Sequence, residues 1–179
     1  ILIALVAAGF VAGFVDSIAG GGGLITIPAL LLSGMPPIMA LGTNKLQSLF
    51  GSGSATWAYA SRGHVDLKSQ GPTFFISAAF SALGAWVATQ VSSDWLRAFL
   101  PILMIAIGLY FLLKPDISDE SRAARFTPAI FAATAVPAIG FYDGIFGPGT
   151  GSFFMLAFVM LAGYGLLKAT AHTKTLNFA

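Results

Sequence analysis

Apolar residues run along this chain in long blocks, and polar residues gather in short gaps between them. The first block, residues 1–33, contains Asp16 and is interrupted by Gly20-Gly21-Gly22-Gly23. An unbroken helix of that length would reach ~50 Å at ~1.5 Å per residue, against a bilayer core of ~30 Å, so the glycines predict a break within or near the membrane. Pro28 removes a backbone donor and predicts a second weak point. Gly34-Met35-Pro36-Pro37 reads as a turn. Residues 38–60 predict the next span, ending in Trp57 and Tyr59, aromatics suited to a membrane interface. A polar stretch over 61–71 leads to spans over 72–91 and 96–113, separated by the turn at 92–95. After the polar stretch 114–126 comes another apolar block, 127–162, broken at Gly147-Pro148-Gly149-Thr150-Gly151. A last segment begins near Leu166. The pattern predicts an all-α, polytopic helical membrane protein with glycine-broken helices.

Composition agrees. Only 9% of residues are charged and 56% are hydrophobic, where a soluble domain carries about 25% charged residues. The mean hydropathy is +0.84. The net charge of +2 forms no basic stripe, so nucleic-acid binding is not expected. Without cysteine there is no disulfide framework or thiolate metal site, and two histidines make no His-rich one. The stretches 61–71 and 114–126 hold Arg62, Lys68, Lys114, Arg122 and Arg125, against Arg97 alone in the turn between them. The positive-inside rule therefore puts both stretches on the cytoplasmic side.

The chain also matches itself. Gly13-Phe14-Val15-Asp16-Ser17-Ile18-Ala19-Gly20 aligns with Gly140-Phe141-Tyr142-Asp143-Gly144-Ile145-Phe146-Gly147, and beyond a short insertion Gly34, Ala40 and Lys45 align with Gly163, Ala169 and Lys174. This predicts an internal duplication of about 125 residues: a first repeat over 1–126 and the start of a second over 127–179, whose remaining ~75 residues would lie beyond the chain. If each broken segment crosses fully, a repeat has about four spans and the halves run parallel. If the segments re-enter, the count changes, and an odd count inverts one half relative to the other. Paired broken segments in two halves point to a secondary transporter site.

The same residues carry a resemblance. Ala12 to Gly23, Ile27-Pro28 and Ala40-Leu41-Gly42-Thr43-Asn44-Lys45-Leu46-Gln47 resemble the first-repeat signature of the TauE/SafE sulfite exporter family, also called the four-toluene-sulfonate uptake permeases. Gly140 to Gly151 and His172-Thr173-Lys174-Thr175-Leu176-Asn177 resemble its second-repeat signature, with Pro148 standing where the first repeat has Gly21. The resemblance implies a multi-pass transporter of the bacterial inner membrane or plasma membrane. It implies as partners the lipid bilayer and a small sulfur-containing anion such as sulfite or a sulfonate like sulfoacetate. It implies no cofactor, and a homo-oligomer is left open.

Candidate substrate contacts follow from chemistry. Helices starting after Gly21, Gly22 and Gly23, and at Gly149, Thr150 and Gly151, would present N–H groups and the positive dipole end to an anion. Packing of helices through these glycines is the competing reading. Lys45 and Lys174 are costly inside a bilayer and face either the substrate or a partner such as Asp16 or Asp143. Those two carboxylates serve as ion-pair partners, helix caps or a proton relay. Thr43, Asn44, Gln47 and Thr173 add hydroxyls and amides beside the lysines, as substrate contacts or as bonds between helices. No nucleophile–base motif or phosphate-binding loop is visible, so an enzyme is not expected. An anion channel with the same site and a non-transporting membrane scaffold are the alternatives to a transporter.

Overall fold

The computed structural model describes residues 1–113, 121 and 123–179; among them there is no strand. Helix α1 (Leu2–Ala19) stops at Gly20, whose φ of 77° is left-handed and whose N–H caps back onto the Asp16 carbonyl. Glycine takes that conformation without steric cost. Helix α2 (Gly23–Leu32) then folds back along α1. The proof is Gln47 on α3 (Pro37–Ser61). Its Nε2 donates to the Gly9 carbonyl of α1, while its Oε1 accepts from Thr26 Oγ1 of α2. Gly22 lies against the Ala12 carbonyl, where an added Cβ would fall 2.6 Å from that oxygen. The first glycine break is thus the tip of a helical hairpin. Pro28 lies inside α2 without ending it.

From the open end of this hairpin, α3 runs its full 25 residues, about 37 Å at ~1.5 Å per residue. It runs parallel to α1, with Gln47 level with Gly9 and Gly51 beside Asp16. Helix α4 (Leu67–Gln90) returns and α5 (Ser93–Leu113) crosses again. Asp66 caps α4 by accepting from Lys68 N, so the helix begins before Pro72 rather than at it. The first 113 residues therefore hold one hairpin and three long helices.

The second break repeats the construction from the opposite end. Helices α6 (Pro128–Ala133) and α7 (Ala135–Ile145) descend, and α8 (Thr150–Met160) climbs back beside them. Phe131 packs on Phe158, Tyr142 on Phe153, and the Leu161 carbonyl accepts from both Arg125 N and Phe126 N. The base of this hairpin adjoins the α3–α4 connection, since Gly63, His64, Ser121, Gly165 and Lys168 line one surface depression. The base of the first hairpin lies at the other end of α3. Each broken segment therefore turns back beside itself as a helical hairpin. The two hairpins point toward each other from opposite ends of the bundle, and α9 (Leu166–Phe178) sets off antiparallel to α3. A kink not foreseen in the sequence separates α6 from α7. Pro137 offers no N–H to the Ala133 carbonyl, and Thr134 instead turns its hydroxyl onto the Ile130 carbonyl.

Two apolar cores fill the two ends. Phe131, Val136, Phe154, Phe158 and Leu176 join the second hairpin to α9, while Ile27, Leu41, Leu96, Leu100 and Met104 join α2, α3 and α5. Among the described residues, three stretches have the length and composition to cross a bilayer: Leu67–Gln90, Ser93–Leu113 and Pro128–Ile145. Large apolar side chains such as Phe10, Trp57, Phe75, Trp86, Ile102 and Leu112 face outward, as lipid contact requires. The closest helix contact is α4 on α7. Gly84, Gly140 and Gly144 bring the backbones together there, and a Cβ on Gly144 would sit 2.0 Å from the Ser81 carbonyl oxygen. Small residues one turn apart permit this approach between membrane helices.

Candidate functional site

The two hairpin tips meet inside the bundle. Gly20 of the first touches Gly151 of the second so closely that a Cβ on Gly20 would lie 2.7 Å from the Gly151 Cα. The second tip is shaped by Gly147 (φ 83°) and Gly149 (φ 79°) on either side of buried Pro148. Pro148 departs from the first tip's Gly21 but is built in: its carbonyl accepts from Tyr142 Oη at 2.6 Å. Thr150 Oγ1 donates to the Gly147 carbonyl at 2.7 Å and fixes the start of α8. The amide of Asn44 sits between the tips, 3.1 Å from a Cβ built on Gly23 and 3.6 Å from one on Gly147.

The four membrane charges of the sequence converge here, and they pair across the hairpins. Lys45 of α3 forms an ion pair with Asp143 of α7. Lys174 of α9 donates to the main-chain carbonyl of Asp16 at the C-terminal end of α1. A cation at a helix C-terminus lies at the favourable end of the dipole. Each lysine thus meets the hairpin that entered from the other side. The pairs differ in exposure: the side chains of Lys45 and Asp143 are 32% and 15% exposed, whereas Lys174 is 1% exposed. Asp16 Oδ1 accepts from Gly22 N at 3.4 Å, which closes the first tip, and Oδ2 is buried without a hydrogen-bond partner.

Between the tips, α3 and α9 remains a polar cavity of about 20 Å³, lined among others by Asp16, Gly23, Asn44, Lys45, Asp143 and Asn177. That is room for a single water. On its other side the Lys45–Asp143 pair borders an open cavity of about 310 Å³, lined also by Ser48, Ser81 and Asn177.

The structure brings Asn44, Lys45, Gly23, Gly149, Gly151, Asp16 and Asp143 together around the smaller cavity. Gly22 closes the first tip, and Thr150 the second. Two other candidates, Thr43 and Gly21, are placed elsewhere. Thr43 is exposed and turned toward Met35, its hydroxyl 3.7 Å from the sulfur. Gly21 has only Leu24 near its Cβ position. Gln47 is committed to holding α1, α2 and α3 together. Thr173 is buried with an unpartnered hydroxyl. His172 packs on Tyr164 and Phe158. Of the polar stretches, Lys114 and Arg122 lie outside the described residues. Sequence reasoning missed Ser81, whose hydroxyl donates to Asp143 Oδ2 at 3.1 Å. The available signal was the spacing of Ser77, Ser81 and Gly84 along one face of α4.

No solved structure matches the chain. It is 65% identical over 178 residues to "Probable membrane transporter protein ORF9" of Sinorhizobium, covering 99% of this chain and 68% of that one. It is 49% identical to a "Probable membrane transporter protein" of Haemophilus influenzae, covering 99% and 70%. To YfcA of Escherichia coli K12, also described as a probable membrane transporter protein, it is 53% identical over 93% of this chain and 62% of the relative. The chain thus spans about two thirds of these relatives. The family model for the sulfite exporter TauE/SafE matches residues 5–179. With a match over nearly its whole length, this chain belongs to the TauE/SafE family of multi-pass membrane transporters.

Proposed function

We propose that this transporter moves small sulfur-containing anions, such as sulfite and sulfonates like sulfoacetate, by alternating access at the paired hairpin tips. The observation that carries the reading is the meeting of two re-entrant hairpins from opposite ends, each tied to the other half by a lysine. Broken helices whose ends converge beside charged groups are how secondary transporters build ion and substrate sites. The matching order of elements, with Lys45 and Lys174 at aligned positions, supports an internal duplication whose second copy is inverted. The base of the second hairpin, with Arg62, Lys68 and Arg125 nearby, faces the cytoplasm under the positive-inside rule.

In this reading Lys45 is the first contact for the anion, because it is the more exposed lysine. The incoming charge replaces Asp143 on Lys45. The first turns of α2 and α8, at Gly23 and Gly151, add N–H groups at their positive ends. The cavity must widen to admit any oxyanion, and parting one hairpin tip from the other does so from one side at a time. Lys174 stays on α1 throughout and holds the second half to the first.

The test is flux of sulfite and sulfoacetate into proteoliposomes holding the full-length protein, with Lys45→Met alongside. Saturable flux is expected from the wild type, and a loss of at least tenfold in the variant. Normal flux with unchanged KM in Lys45→Met removes Lys45 from the path. No flux of either anion from folded wild-type protein withdraws these substrates.

A further inference from the structure

We infer that the Asp16 carboxylate, Asn44 and Ser48 form a site for a sodium ion that binds together with the transported anion. The inference rests on the anion site proposed above and extends it. Asp16 is 7% exposed, and its Oδ2 is buried without a hydrogen-bond partner. That oxygen faces α3, 3.5 Å from a Cβ built on Gly51. Asn44, Ser48 and Gly51 are spaced four and three residues apart, so they share one face of α3. Asp16, Gly23, Asn44 and Ser48 line both the cavity of about 20 Å³ between the tips and a neighbouring one of about 10 Å³ that Gly51 borders. The oxygen is already enclosed by this chain, so only a small species inside these cavities can reach it.

The neighbouring groups offer lone pairs rather than hydrogens. Ser48 Oγ donates its hydrogen to the Lys45 carbonyl at 3.0 Å, which leaves its lone pairs free. Lys174 gives its ammonium to the main-chain carbonyl of Asp16 and not to the carboxylate. Gly20, also on the wall between the tips, ends α1 at the negative pole of the helix dipole. Carboxylate, hydroxyl, amide and helix-end carbonyl oxygens are the donors a hard cation takes, and the C-terminal ends of broken helices hold sodium in secondary transporters. Ser48 and Lys45 also line the open cavity of about 310 Å³, which gives the ion a route in. Charge points the same way. Lys45, Lys174, Asp16 and Asp143 sum to zero, so an anion entering alone leaves an uncompensated negative charge in the membrane interior, which is costly. A sodium ion on Asp16 restores neutrality while the anion sits on Lys45. A proton on Oδ2 would balance the charge too, but it needs no space; the cavities and the oxygens around them favour the metal ion.

The experiment uses the purified full-length protein, free of sulfite and sulfonate, in sodium chloride or choline chloride of equal ionic strength. Thermal unfolding in sodium chloride is expected at least ~2 °C above that in choline chloride, with a shift that saturates as sodium rises. Asp16→Asn keeps an oxygen for Gly22 N but removes the charge, and should lose the shift. Ser48→Ala probes the site without touching a charge, and its half-saturating sodium concentration should rise at least fivefold. Equal melting of the wild type in the two salts, or an undiminished shift in Asp16→Asn, overturns the inference. Should Asp16→Asn fail to fold, Ser48→Ala decides, and an unchanged half-saturation overturns it. Flux into proteoliposomes is the second arm: replacing sodium by choline should lower anion flux at least tenfold. Anion flux that ignores sodium, or follows a proton gradient instead, sinks the sodium site and leaves the substrates standing. A sodium shift that Asp16→Asn abolishes, without flux of sulfite or sulfoacetate, sinks only those substrates.

Discussion

Gly144→Ala is expected to abolish most of the folded protein, although it adds a single methyl group. That Cβ would lie 2.0 Å from the Ser81 carbonyl, 2.7 Å from Ala85 N and 2.8 Å from the Gly84 Cα. All three are main-chain atoms of α4, so no side chain can swing aside. The two helices must separate, and with them goes the Ser81 bond to Asp143 that steadies the partner of Lys45. Overpacking in ordinary cores costs about 1–3 kcal/mol, and a collision of backbone with backbone belongs at or above the top of that range. The measurement is thermal unfolding of detergent-purified full-length protein. Gly108→Ala is the control, because nothing lies within 4 Å of its Cβ position. There the methyl should stabilise the helix by about 0.5–1 kcal/mol. If Gly144→Ala melts at the wild-type temperature, the close contact of α4 with α7 is wrong.

Lys174→Met is expected to have the second large effect, and one that a further mutation partly reverses. Lys174 is fully buried, and its ammonium is held by the Asp16 carbonyl, which also accepts from Gly20 N at 3.1 Å. The Asp16 carboxylate lies close enough for the two charges to interact. Removing the lysine leaves a buried carboxylate without compensation, a loss of about 3–5 kcal/mol by analogy with broken buried pairs. Adding Asp16→Asn removes the stranded charge, so the double variant should recover at least ~1 kcal/mol relative to the sum of the single losses. Strictly additive losses would show that the two residues do not act as a pair. Lys45→Met should destabilise less, because its side chain is partly exposed and water already screens it.

What the sequence disclosed were properties local to a short stretch of chain. Four consecutive glycines cannot continue a helix well, so the break at the first tip was legible, and Gly147 to Gly151 signalled the second in the same way. Lysine and aspartate inside apolar blocks are expensive enough to stand out, and Lys45, Asp143, Asp16 and Lys174 do so in the sequence itself. Direction was not legible. A hydropathy pattern reads the same whether the chain continues through the bilayer after a break or turns back, and the evidence for turning back is a set of contacts such as Gln47 with Gly9 and Thr26. Polar type alone did not decide between substrate contact and bonds between helices. Gln47 and Thr43 lie beside Lys45 in sequence, but a helix points successive residues to different faces, so one became a brace and the other faces outward. Ser81 escaped notice because a serine in an apolar helix more often bonds its own backbone, as Ser54 and Ser61 do.

The re-entrant second hairpin also bears on how the topology of this protein is mapped. Pro128–Ile145 has the length and apolarity of a crossing, yet the chain surfaces after α8 on the face from which it departed. On the proposed topology, counting hydropathy peaks gives the wrong parity for everything downstream. Reporter enzymes fused at Ser121 and at Gly163 should signal the same compartment, despite the membrane-length apolar stretch between them.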